Sequence, residues 1–115
     1  MFSIFKKKII VPHVRLTGVI GNLGRFKQGM DLSSQQDILK KAFSLKKAKN
    51  VAISINSPGG SPVQSHLIYS YIRQLAEKNK KKVIVFAEDV AASGGYFIAC
   101  AGDEIYANSS SIIGS

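Results

Sequence analysis

Residues 51–62 read VAISINSPGGSP, a short, largely apolar run that breaks into a turn and then opens toward a helix. VAISI is brief and rich in β-branched residues, the pattern of a strand buried on both faces of a parallel sheet. NSPGG ends it. Beyond the turn, Ser61 can cap a helix and Pro62 can take its first position, with Val63, Leu67, Ile68, Tyr71, Ile72 and Leu75 forming a stripe at helical spacing. A second strand-turn-helix unit comes next: VIVFAED at 83–89 repeats the buried-strand signature, VAASGG at 90–95 makes the turn, and the small-residue segment Ala91 to Ala101 reads as a helix. EIYA at 104–107 is a further short strand.

Upstream, HVRLTGVIG at 13–21 alternates as a first strand, with Val14, Leu16 and Ile20 on one side, and GNLGRFKQGM at 21–30 reads as a loop. Residues 31–50 predict another helix, with Ser33 and Gln36 as a capping box and Ile38, Leu39, Ala42 and Phe43 on one face. Strands alternating with helices predict an α/β domain with mostly parallel strands. We expect residues 1–12 to be a tail and residues 13–115 to be one domain.

The 115 residues carry a formal net charge of +9, from 16 Lys and Arg against 7 Asp and Glu. Lys6 to Lys8, then Lys40, Lys41, Lys46 and Lys47, then Lys78 and Lys80 to Lys82 lie in three separate segments, and no basic-aromatic alternation accompanies them. They read as solvated surface, with no nucleic-acid partner. No stretch reaches the apolar length of a membrane span. The start, MFSIFKKK, reads as a surface terminus or a weak interfacial anchor with Phe2, Ile4 and Phe5 dipping into lipid. The lone Cys100 is expected to pack as a small hydrophobe. His13 and His66 are the only imidazoles, and with one cysteine and no acidic cluster neither a metal nor another cofactor is expected.

Both glycine-containing turns should stand at the carboxyl ends of parallel strands, where ligands gather in open sheets. Gly59 and Gly60 let a substrate approach the main chain without meeting a Cβ. Their amides, and that of Gly94, can act as donors for an oxyanion once the Ser93 hydroxyl attacks a carbonyl. Taken singly, SPGG is an ordinary turn and Ser93 an ordinary N-cap; together, one helix apart, they point to chemistry. The Gly-x-Ser-x-Gly elbow of α/β-hydrolases is a different arrangement, with Ala91 where its first glycine would be. These turns lack the lysine and Ser/Thr of a phosphate-binding loop.

INSPGGSPVQSHLIYSYIRQL followed by VAASGGYFIACAGDEIYANSSSIIGS resembles the core of the S49 serine peptidases, the signal peptide peptidase A and SohB-like group within the Clp protease/crotonase superfamily. That resemblance implies a spiral of β-β-α units, Ser93 as nucleophile, Gly59 and Gly94 as oxyanion donors and Gly60 as support. It implies a serine endopeptidase acting on signal-peptide remnants or other apolar peptides, homo-oligomeric, cytoplasmic or peripheral to the inner membrane. Clp protease uses a Ser-His-Asp triad, and Gly114 stands where its histidine would follow. The S49 family pairs its serine with a downstream lysine that must be desolvated to act as a base. None of the thirteen lysines here occupies the matching position, so the sequence is expected to be the N-terminal portion of the catalytic domain, truncated at its C-terminus and without its general base. Two alternatives are a peptide-binding or assembly module of the same fold without catalysis, and a crotonase-like acyl-CoA enzyme.

Overall fold

The computed structural model describes residues 8–21 and 29–115. The anchor reading of Phe2 to Lys7, and most of the loop at 21–30, lie outside these residues. Eight elements succeed one another: β1 (His13–Thr17), α1 (Leu32–Phe43), β2 (Asn50–Ser57), α2 (Pro62–Asn79), β3 (Lys82–Ala92), α3 (Gly94–Ala99), β4 (Glu104–Ala107) and β5 (Ile112–Gly114). The strands form one five-stranded parallel sheet in the order β1-β2-β3-β4, with β5 also on β3.

Period-two alternation sends Val14, Leu16, Val51, Ile53, Ile55, Val83, Val85 and Ala87 to one face of the sheet. There they join Leu39, Ala42 and Phe43 of α1 and Ile68, Ile72 and Leu75 of α2 in a single core. The opposite face is more polar and more open. On it His13 Nε2 meets Ser54 Oγ at 2.6 Å, Arg15 pairs with Glu88 at 2.7 Å, and Phe86 stacks on Tyr106 with centroids 5.7 Å apart. Phe86 is 42% exposed, so β3 is not buried on both faces as VIVFA predicted, because the helices cover only one side.

Helix ends explain other departures. Helix α1 starts at Leu32 and its reciprocal cap is Asp31 with Ser34: Ser34 N donates to Asp31 Oδ1 at 2.8 Å and Asp31 N to Ser34 Oγ at 3.1 Å. An aspartate is a stronger acceptor than the hydroxyl of Ser33, and from its place two residues earlier it satisfies the first turn. Ile38, Val63 and Leu67 are exposed although their spacing placed them on the buried stripes. Helix α2 begins as expected, with Ser61 Oγ accepting from Gln64 N at 3.1 Å and Pro62 at its first position. Helix α3 is shorter than the Ala91 to Ala101 segment. Val90, Ala91 and Ala92 instead remain strand, paired with Ile112, Ile113 and Gly114. Cys100 sits at the helix end and is exposed rather than packed.

Candidate active site

The site is made where β2 and β3 end. The two strands run in register from Asn50↔Lys82 to Ile55↔Ala87, and then Ser57 pairs with Ala91. Two residues of β2 thus span four of β3, a bulge over Glu88 to Val90. Bulges bend a strand and re-aim the residues beyond them. Asn56 Oδ1 accepts from Val90 N at 3.2 Å and so holds the bulged segment.

Beyond the bulge the chain turns sharply at Ser93, whose φ of +52° and ψ of −122° lie where L side chains rarely go. Two backbone bonds fix it there: Ser93 N donates to Gly114 O at 2.7 Å, and Ser93 O accepts from Phe97 N at 3.0 Å. Strain of this kind persists when its surroundings over-determine it, and it collects at functional sites. Ser93 occupies the N-cap position of α3, yet its hydroxyl makes no cap hydrogen bond, and the residue is exposed. The ordinary reading of this serine as an N-cap therefore fails. A strand, a strained serine and a helix reproduce the geometry of a nucleophile elbow, although Ala91 replaces the elbow's glycine.

The NSPGG turn presses directly against that elbow. Gly59 is buried at φ +108°, and a Cβ built on it would stand 2.8 Å from Ser93 Cβ and 3.0 Å from Gly94 N. On Gly95 a Cβ would come within 2.5 Å of Ser57 O. Only glycine allows the two turns to meet this closely. Gly60 pairs with Ile20: Ile20 N donates to Gly59 O at 2.9 Å and Ser61 N to Ile20 O at 2.8 Å, so a residue just beyond β1 anchors the turn.

All four glycine and serine positions singled out in the sequence, Gly59, Gly60, Ser93 and Gly94, thus converge. Among the described residues, no acceptor takes the Gly94 amide. The Gly59 amide donates to Ser57 Oγ at 3.1 Å. A cavity of about 320 Å³ adjoins the elbow, its lining joining Ser93, Gly94 and Gly60 to Pro62, Ser65, His66 and Phe97. Among the described residues, no side chain hydrogen-bonds the Ser93 hydroxyl. Sequence reasoning missed Asn56, Ser57 and Gly114. Asn56 and Ser57 were read only as part of the NSPGG turn, whereas they close β2, and Gly114 acts through a carbonyl that carries no sequence signal.

A family model described as peptidase family S49 matches residues 75–115. Protease 4 from Haemophilus influenzae is 39% identical over 108 residues, covering 94% of this chain and 17% of that protein. A Brucella melitensis protein named Na(+)/H(+) antiporter NhaA is 60% identical over 106 residues, 91% of this chain and 14% of that protein. The chain therefore spans under a fifth of either relative's length, and among its described residues no helix is long and apolar enough to cross a membrane. Among solved structures, a membrane-bound stomatin-specific protease, 1510-N, superposes with a TM-score of 0.64 at 23% identity, covering 89% of this chain and 45% of that one. ClpP1 from Listeria monocytogenes superposes with a TM-score of 0.54 at 22% identity, covering 78% and 46%. Both likenesses speak to the fold, which is that of the Clp proteases.

Proposed function

We propose that this chain, whose residues 75–115 match the model of peptidase family S49, is a member of that family and that Ser93 is the nucleophile of a serine endopeptidase. The observation that carries the reading is a strained, exposed serine whose hydroxyl is not used for capping, set at the end of a parallel strand against a glycine turn. Ser93 Oγ attacks the carbonyl carbon of a peptide bond; as the C–O bond forms, the hydroxyl proton passes to a base and negative charge develops on the carbonyl oxygen. The Gly94 amide, unengaged within the described chain, donates to that oxygen. The Gly59 amide is the second donor. Its bond to Ser57 Oγ gives way because an anionic acceptor binds an amide roughly twice as strongly as a neutral one. Collapse breaks the C–N bond, and the base returns its proton to the leaving amine.

We assign the base to a lysine supplied from outside the described surroundings of Ser93, completing a Ser–Lys dyad. The substrates are extended apolar peptides such as signal-peptide remnants, and the complete protein works as a homo-oligomer in the cytoplasm or against the inner membrane. The test is a fluorophosphonate probe applied to the full-length protein and to Ser93→Ala, with the adduct located by mass spectrometry. Modification confined to Ser93 supports the reading; equal modification of both proteins overturns it. A second reading, a peptide-binding module without catalysis, draws on the cavity beside Ser93, and it predicts no adduct at all.

A further inference from the structure

The cavity beside Ser93 has features that attack on a carbonyl does not require. Its volume of about 320 Å³ is at the low end for ligand pockets, enough for one large side chain but not for a length of peptide. Ser65, which contributes to the lining, is buried and its hydroxyl is committed to Ser61 O at 2.7 Å. Pro62 is apolar. The distinctive group is His66, whose ring stacks on Phe97 at 5.9 Å between centroids and 23° between planes. Phe97 in turn packs on Tyr69 at 4.9 Å.

The His66 and Phe97 rings therefore form a stacked pair that reaches the cavity, with Tyr69 tilted against Phe97 from behind, and among the described residues neither nitrogen of the His66 ring has a hydrogen-bond partner. A platform of this kind offers a flat face to a flat side chain. An aliphatic side chain of similar size gains only the area it buries. An aromatic one adds the stacking interaction.

We propose that His66 is the specificity-determining residue of this pocket, selecting a planar aromatic side chain in the bound peptide. Naming that side chain as the one preceding the scissile bond rests on the reading of Ser93 as nucleophile; the aromatic preference itself does not. His66 is exposed, so replacing it leaves the core intact.

The experiment measures binding of two fluorescent, acetylated tetrapeptides, identical except for Phe or Leu at one position, to the full chain by anisotropy. Wild type and Ser93→Ala should both favour the Phe peptide by roughly two- to tenfold, the range expected of one aromatic pair. His66→Leu should bring the ratio to about 1, and His66→Phe should keep it. The proposal is overturned by no Phe preference in the wild type, by an unchanged preference in His66→Leu, or by no binding of either peptide. A Phe preference without any adduct at Ser93 would sink the peptidase reading alone, and an adduct without the preference would sink only the role of His66.

Discussion

Replacing Gly59 by alanine tests whether the two turns form one site. The substitution has two separable effects. At φ +108° any side chain pays a conformational penalty of about 1–3 kcal/mol. The new Cβ also lies 2.8 Å from Ser93 Cβ, 3.0 Å from Gly94 N and 3.1 Å from Ala92 O. Two of those atoms are main chain, so no rotamer change relieves the contact, and either the elbow or the turn must shift. Gly18→Ala isolates the first effect, since Gly18 has φ +94° and nothing within 4 Å of its added Cβ. Both variants should lose stability, Gly59→Ala more because it adds the contact to the shared positive-φ penalty, with about 4–8 °C in melting temperature per kcal/mol for a domain near this size. Only Gly59→Ala should slow the chemistry. A misplacement of ~1 Å costs about a hundredfold in rate, so a shift of a few tenths of an ångström should cost roughly three- to tenfold. The assay is the rate of fluorophosphonate reaction at Ser93 beside thermal unfolding. If Gly59→Ala reacts no more slowly than Gly18→Ala, the contact between the turns has no part in the chemistry.

Other perturbations draw on the same geometry. Asn56→Ala should expose the Val90 amide to faster hydrogen exchange and cost about 1 kcal/mol, with Asn56→Asp restoring much of the loss, because the acceptor of the bulge is then present again. Exchange at Val90 unchanged in Asn56→Ala would rule that bond out. Ser93→Gly should be more stable than Ser93→Ala by about 1 kcal/mol, since alanine keeps the strain of φ +52° and glycine removes it; denaturant unfolding measures the difference, and equal stabilities would mean that the turn stores no strain. The hydrogen bond from Arg15 holds the Glu88 carboxyl below its ordinary 4.5, and that from Lys82 does the same for Glu104. Depressed carboxylates contribute stability that is present above about pH 4.5 and is lost as the pH falls through the lowered values. A double Glu88→Gln, Glu104→Gln variant should accordingly show a smaller drop in melting temperature on acidification than the wild type, and an identical drop would assign acid sensitivity to other groups.

The fold was largely readable because its signals are local. Apolar β-branched runs at Val51 and Val83, Pro62 behind Ser61, and glycines after both strands specify strand, turn and helix within a few residues of one another. Less readable were the features set by partners far away in sequence. Ala91 and Ala92 pass for helix by composition, yet they stay extended because β5, with its exposed Ile112 and Ile113, pairs alongside. The stripe on α2 overcounted Val63 and Leu67 because the buried side of the helix runs through Ser65, Ile68, Ile72 and Leu75, which leaves those two residues on the open side. The candidate site shows the same division.

Ser93, Gly59, Gly60 and Gly94 were legible because each is an unusual residue for its place: a hydroxyl among small residues, or a glycine where a Cβ would collide. Their function depends, however, on what holds Ser93 at a positive φ, and that restraint comes from main-chain atoms. Gly114 O takes its amide and Phe97 N donates to its carbonyl, while the Asn56 side chain fixes the bulge that aims β3 at the turn. Any residue could supply the first two bonds, so no sequence pattern records them. A serine can thus be recognised as a candidate nucleophile from its neighbours in sequence, but its freedom from capping duty comes from two strands and a helix arriving together. That freedom separates the reactive reading of Ser93 from the ordinary one, because a hydroxyl accepting from a helix amide has one of its two lone pairs occupied and its direction fixed by the cap.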